Sequence, residues 1–381
     1  MSESPHESLP DSGWSCCLAD PVSRRAFVTA LLGTIAAACA GPTEDAAARR
    51  RNDLLAQGAD ALAGGPTIDI HSHAGVRGTG PLPPVALREM RGARVETSFF
   101  NISGDGPVIH RLPNNGPIKN YRSPGAGELY AVAHRQCARV VDNASAAGVM
   151  LIREPADVEK ARTARMTGAL LAFEGGDPLE GLPERVREFH ALGVRSIQLV
   201  HYRINELGDI QTEPRVYHRL TPAGEAVIAE MNRLGMIVDG AHAASETLLG
   251  ILAASRAPII VSHTGPAALR RNARHLTDDL ITAVAKKDGV IGIWPLRVRG
   301  NDSLSQMLAD IDHVRRIAGI DHVGIGTDMD GMSVYTVMPT YKEFAPLPAA
   351  LLARGFSESD TRKVLGGNLM RVFEAATAAR A

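Results

Sequence analysis

His71, His73, Glu174, His201, His242, His263 and Asp328 are the residues of this 381-residue sequence whose types and settings carry chemistry. Each stands at or just past the end of a short apolar run. At the first run Asp69, His71 and His73 alternate, so they point to one face of a strand. Imidazole nitrogens and carboxylate oxygens suit zinc or a similar divalent ion, and a catalytic site keeps one coordination position open for water. Four histidines and one glutamate are ligands enough for two ions, with the carboxylate as the natural bridge. Two ions held about 3.5 to 4 Å apart can share a hydroxide and clamp a tetrahedral intermediate. Asp328 is the spare carboxylate, placed to take the proton of that water and pass it to a leaving amine. Taken singly, each residue has an ordinary structural explanation, such as an aspartate satisfying turn amides at Asp328-Met329-Asp330-Gly331. Their recurrence at successive strand ends is what points to a metal site. The other histidines of the chain, among them His110, His134, His190, His218, His275, His313 and His322, fall on helical stretches or in loops and read as structural.

To bring residues spread over some 260 positions together, the elements must share one rim. Apolar, β-rich runs at 67–73, 95–102, 169–173, 196–201, 237–242, 259–263, 290–294 and 323–327 read as eight strands. Between them, 127–147, 222–234, 245–254 and 277–287 carry apolar residues at three- and four-residue spacings and read as helices. Thr221 before Pro222, Ser245 beside Glu246, and Thr277 before Asp278-Asp279 put oxygen acceptors or negative charge at helix starts. Regular alternation predicts parallel strands with crossover helices. Eight units predict an α/β fold, a (β/α)8 TIM barrel with inserted loops over 67–376, whose active site lies at the carboxyl ends of the strands. No G-x-G-x-x-G and no Walker sequence follows the first strand, which excludes a doubly wound nucleotide binder. The longest insertion, 103–167, is of a size that shapes or covers a site.

The 41 Lys plus Arg against 42 Asp plus Glu leave a formal charge of −1, and without a basic stripe the chain is not built for nucleic acid. With 45% hydrophobic and 22% charged residues it is too apolar for disorder and too mixed for a multi-span membrane protein. A small-molecule or peptide substrate fits that balance. Residues 1–40 read as an export signal of the twin-arginine type: Arg24-Arg25, an uncharged apolar run over 28–38 too short to span a bilayer, then Ala38-Cys39-Ala40. An alternative makes Cys39 a lipid-modified N-terminus, the one way this chain would meet a membrane. The expectation is an exported protein of the periplasm or cell envelope. Residues 41–66 form a helical or flexible lead-in. Cys137, the one cysteine beyond the leader, cannot make an internal disulfide and reads as core filler. A homodimer is the default assembly.

Five motifs carry a family resemblance: Phe173-Glu174-Gly175-Gly176, Asp239-Gly240-Ala241-His242, Ser262-His263-Thr264, Arg270-Arg271-Asn272 with Asp278-Asp279 downstream, and Gly326-Thr327-Asp328-Met329-Asp330-Gly331. With the tail 367–374, they resemble the membrane dipeptidase (renal dipeptidase) family of the metal-dependent amidohydrolase superfamily, in the family's order from Asp69 to Glu374. The resemblance implies a (β/α)8 barrel with a pair of zinc ions that cleaves dipeptides, L,L or L,D. Carried over, it implies that Glu174 bridges the ions, with His242 and His263 on one and His71 and His73 on the other. It further implies that His201 binds the substrate carbonyl or developing oxyanion, that Arg271 pairs with the substrate carboxylate, and that Asp328 is the acid-base. Two departures stand out. The family usually has His-x-Asp where this chain has His71-Ser72-His73, which removes a negative charge from one metal shell. The segment His201-Tyr202-Arg203-Ile204-Asn205 also differs from the family's His-Asn beginning. An amidohydrolase acting on N-acyl amino acids, lactones or cyclic amides is therefore the alternative, with a non-catalytic metal or solute binder as a third reading.

Overall fold

Apolar runs flanked by polar turns become strands here because both faces are covered. The computed structural model describes residues 44–380 apart from 77–81, 115, 299, 301 and 333–334. The export signal expected over 1–40, with Cys39, lies outside the described residues. In chain order the strands are β1 (Ile68–Asp69), β2 (Thr97–Ser103), β3 (Ile109–Arg111), β4 (Ile118–Asn120), β5 (Met150–Leu151), β6 (Gly168–Glu174), β7 (Val194–Gln198), β8 (Ile237–Asp239), β9 (Ile260–Thr264), β10 (Val290–Ile293) and β11 (Val323–Ile325). All of β6 and nearly all of β2 is buried, as expected of strands sealed by helices on one side and a filled barrel on the other. The ring runs β1-β2-β6-β7-β8-β9-β10-β11, parallel throughout. It closes nearly completely, since Ile70 N donates to Ile325 O at 2.9 Å and Asp328 N to His71 O at 2.9 Å. The structure is a (β/α)8 barrel, and each of its eight ring strands overlaps one of the eight expected runs, with shifts of one or two residues at several ends.

The helices Pro222–Leu234 and Ser245–Ala254 occupy their expected spans, while Glu128–Ala146 and Asp278–Lys286 are each a residue shorter at both ends than expected. Thr221 and Thr277 cap their helices, accepting from Gly224 N and Leu280 N. Ser245 does not act as a cap; it is the first helical residue, with Ala244 in the cap position and Glu246 in the first turn. Helix Glu44–Ala63 occupies much of the lead-in, and among the described residues no helix is long and apolar enough to cross a membrane. Cys137 is buried in helix Glu128–Ala146, where burial pushes its thiol up to about 12, so it is an unreactive filler. His275 and His322 bond to the backbone carbonyls of Arg270 and Gly289, and His313 to Asp278.

The 103–167 insertion holds two features that periodicity did not reveal. One is an antiparallel hairpin, β3 with β4; the other is β5, which pairs with β6 beside the ring. Strand ends are packed tightly where the site sits. A Cβ on Gly292 would lie 1.8 Å from Ser262 O, and one on Gly326 1.9 Å from the same oxygen. Ser262 stands between two of the site's histidines, so only glycine lets the neighbouring chains approach β9 there. Gly292→Ala is expected to destabilise by at least the roughly 1–3 kcal/mol of core overpacking. Thermal unfolding with and without added zinc reads this as a lowered Tm in both.

Candidate metal centre

Glu174, the last residue of β6, is buried and is the hub of the site. Its Oε1 lies 3.3 Å from His71 Nε2, 3.3 Å from His242 Nε2 and 3.5 Å from His263 Nε2. Its Oε2 lies 3.1 Å from both His73 Nε2 and His201 Nε2. Asp328 completes the cluster, with Oδ1 3.4 Å from His73 Nε2 and 4.0 Å from His71 Nε2. Seven residues from six ring strands thus converge at the rim where the C-terminal strand ends meet. Both His242 and Asp328 hold left-handed backbone, φ 65° and 51°, and so does Asp330 at 61°. Such strain in non-glycine residues is stored where a side chain must be aimed. Gly331 leaves Asp328 its room, since a Cβ there would sit 1.7 Å from Asp328 Oδ1.

The donor set fits a pair of divalent ions. His71, His73 and Glu174 form one group of potential ligands, and Glu174, His242 and His263 a second, with all donor atoms in each group within 4.8 Å of one another. Hydrogen bonding alone explains this arrangement poorly. His242 Nε2 and His263 Nε2 face each other at 3.0 Å, and His71 Nε2 is buried without a hydrogen-bond partner. Imidazole nitrogens turned on one another and on one carboxylate are what cations satisfy. Burial, reinforced by nearby positive charge, pulls the pKa of His242 and His263 well down, which keeps them neutral as ligands must be. Burial opposes ionisation of Glu174, but the surrounding imidazoles outweigh it and hold the carboxyl well below its ordinary range. Behind the ligands, Ser262 Oγ bonds both His71 Nδ1 and His263 Nδ1 at 3.0 Å, fixing the two rings.

His73 reaches the hub although a histidine stands where the resembling family has aspartate; its Nε2 is as close to Glu174 as any nitrogen in the cluster. Asp69, which alternates with His71 and His73 in the sequence, takes a different task. Its carboxylate accepts from Thr327 N at 2.9 Å, Thr327 Oγ1 at 2.6 Å and Tyr341 Oη at 2.9 Å. It thereby ties β1 to the turn carrying Asp328, and burial raises its pKa to about 6.

Two functional positions come from outside the expected set. Asp105, just after β2 and fully buried, accepts from His201 Nδ1 at 2.7 Å and from Tyr202 N at 2.9 Å. Burial lowers the pKa of His201, but Asp105 and Glu174 overcome it and raise it well above the usual value. His201 also lines the cavity, with Nε2 on the Glu174 side. The second is Arg274. Arg271 is exposed and does not line the cavity, so the structure corrects the expectation that it faces the site. Arg274 is buried on the cavity wall, with Nη2 3.2 Å from His263 Nε2, Nε donating to Gln211 Oε1 at 3.1 Å, and its guanidinium carbon 5.1 Å from the Trp294 ring centroid. Arg270, the first of the run, is consumed structurally by Asp302 and Asp310. The cavity holds about 330 Å³ and is lined by Glu174, His201, Tyr202, His263, Arg274 and Asp328 among others. Asp105→Asn is expected to lower kcat about 10- to 100-fold, as loss of a ring-orienting partner does. The His201 pKa falls in that variant, so the alkaline limb of the pH–rate profile moves to lower pH. An unshifted profile would remove Asp105 from this role.

The profile of the membrane dipeptidase family, peptidase family M19, matches residues 130–381. Dipeptidase aclJ of Aspergillus oryzae is 38% identical over 213 residues, covering 54% of this chain and 50% of that protein. Dipeptidase tcpJ of Claviceps purpurea is 33% identical over 211 residues, with 54% and 50% covered. The chain thus spans about half the length of the curated relatives it matches. In fold it is similar to a Rhodobacter sphaeroides metallo-peptidase liganded with a phosphinate mimic of the dipeptide L-Ala-D-Ala, with TM-score 0.71, 23% identity, and 82% of this chain and 99% of that one covered. It is likewise similar to dipeptidase AC, a metallo-peptidase of family M19, with TM-score 0.70, 24% identity, and 82% and 98% covered.

Proposed function

Because the chain belongs to the membrane dipeptidase family, peptidase family M19, we propose that it hydrolyses the amide bond of dipeptides, L,L or L,D, with two divalent ions, zinc foremost. The observation that carries this reading is one carboxylate, Glu174, shared by two sets of imidazole nitrogens. His71 and His73 would hold one ion and His242 and His263 the other, with Glu174 between them. When bound, such ions supply a Lewis acid for the carbonyl and an acidified water.

The chain's own residues do the rest. Arg274, buried on the cavity wall, pairs with the substrate carboxylate, for which the planar guanidinium offers two parallel hydrogen bonds. That contact fixes the scissile carbonyl over the floor. His201 donates Nε2–H to the carbonyl oxygen and gains strength as negative charge develops there. Asp105 holds the imidazole in orientation and charge state, a positioning role. Asp328, at the mouth of the cluster and 8% exposed, takes a proton from the attacking water and returns it to the leaving amine. The twin-arginine run at Arg24-Arg25 supports export as the setting of this activity.

The direct test is amino-acid release from L,L-dipeptides, L,D-dipeptides and N-acyl amino acids, with zinc and with chelator. Cleavage of dipeptides that chelator abolishes is the expected result. Turnover of acylated amino acids with silence on dipeptides would instead favour the broader amidohydrolase reading, with His73 as its mark.

A further inference from the structure

The floor of the cavity already spends its acidic groups and one guanidinium. Two further arginines, Arg111 on β3 and Arg297 after β10, line the same cavity and are exposed. The guanidinium carbon of Arg111 lies 5.9 Å from the Tyr335 ring centroid, and the Arg297 backbone is tied to the same residue, its N donating to Tyr335 O at 2.6 Å. Arg111 Nη1 also donates to Gly116 O at 3.2 Å, which leaves most of its fork uncommitted. Among the described residues neither guanidinium forms an ion pair, although Lys119 on the adjoining strand β4 is neutralised by Glu213. The acidic residues in the lining are Glu174 and Asp328, both engaged with histidines at the floor. Apolar Ile109, Ile118, Leu296 and Met332 line the cavity as well. The rim therefore carries two positive charges, one of them over an aromatic ring, beside apolar wall.

Resting on the dipeptidase reading, we propose that this rim is a second anion-recognising subsite and that the enzyme selects dipeptides bearing an acidic side chain. Arg274 takes the main-chain carboxylate, and Arg111 with Arg297 takes the side-chain carboxylate. The apolar wall receives the methylenes of that side chain. The hairpin β3–β4 has its function here: it carries Arg111, Ile109 and Ile118 over the site.

The test compares kcat/KM for Ala-Glu with Ala-Gln and Glu-Ala with Gln-Ala, in L,L and L,D forms, so that size cancels and charge remains. The expected result is a preference of about tenfold for the acid over its amide at one of the two positions, as charge-assisted hydrogen bonds give. It should shrink in high salt, because the rim is exposed. The acid-to-amide ratio falls to near one in Arg111→Ala with Arg297→Ala, and Arg111→Glu with Arg297→Glu shifts the preference toward lysine-bearing dipeptides. A ratio near one in the unmodified protein, or one that survives both alanine substitutions, overturns the proposal alone. Failure to cleave any dipeptide, neutral or acidic, overturns the dipeptidase reading and this proposal with it.

Discussion

Glu174→Gln is expected to abolish dipeptide turnover while the barrel still folds. Glutamine keeps the shape of the side chain but offers one oxygen and one NH2 group, so it cannot present an acceptor to both sets of histidines. Oε1 now faces His71, His242 and His263, and Oε2 faces His73 and His201. Turning the amide either way sets donor hydrogens against one of these sets and removes the negative charge that the proposed pair of ions would need. Loss of an outer-shell partner costs roughly 10- to 100-fold, and loss of the carboxylate common to both candidate ligand groups should exceed it. Bound zinc, measured by elemental analysis after dialysis, should fall below that of the unmodified protein. Circular dichroism should be unchanged, because strand β6 is held by parallel pairing on both sides. A purified Glu174→Gln protein that retains turnover would remove Glu174 from the centre of the chemistry. Chelation of the unmodified protein should reproduce the activity loss and zinc should restore it.

That expectation rests on residues legible in the sequence, and the reason is geometric. In a parallel barrel every strand delivers its last residue to the same rim, so strand ends suffice to assemble a site. Glu174, His242 and His263 could be placed that way without knowing the crossing helices or insertion. What strand ends do not specify is where a loop side chain turns. Asp69 alternates with His71 and His73, yet its carboxylate turns to Thr327 and Tyr341, because Tyr341 arrives from 272 residues further along. Asp105 lies two residues beyond β2, in an insertion whose hairpin has no clear apolar period, and its partner His201 is 96 residues away. A buried aspartate hydrogen-bonded to a histidine leaves no local signature. The signal for Arg274 was closer to hand: in Arg270-Arg271-Asn272-Ala273-Arg274 the run leads to Thr277, whose role as helix cap was legible, so the residues just before it had to cross the rim. Choosing among three arginines still required knowing that Asp302 and Asp310 claim the first.

Arg274→Met should cost far more than Arg271→Ala, and only toward substrates with a free carboxylate. Arg274 is 4% exposed, and its guanidinium is held between Gln211, His263 and the face of Trp294, so it is set before substrate arrives. Truncating one partner of a buried, hydrogen-bonded charge pair costs about 2–5 kcal/mol, which corresponds to roughly 30- to several-thousand-fold in kcat/KM at about 1.4 kcal/mol per decade. Most of the loss should fall on KM, because the contact exists equally in the bound ground state and the transition state. Methionine fills much of the volume without the charge, so packing against Trp294 is largely kept. Dipeptide amides, which lack the carboxylate, should be poor substrates for the unmodified protein and little worse for Arg274→Met. The ratio of acid to amide substrates therefore isolates the charge contact from structural damage. Arg271→Ala, at an exposed position outside the cavity, should leave that ratio unchanged. An equal drop for acid and amide in Arg274→Met would show that the arginine supports the wall rather than the substrate. A drop in Arg271→Ala comparable to that in Arg274→Met would return the carboxylate contact to Arg271.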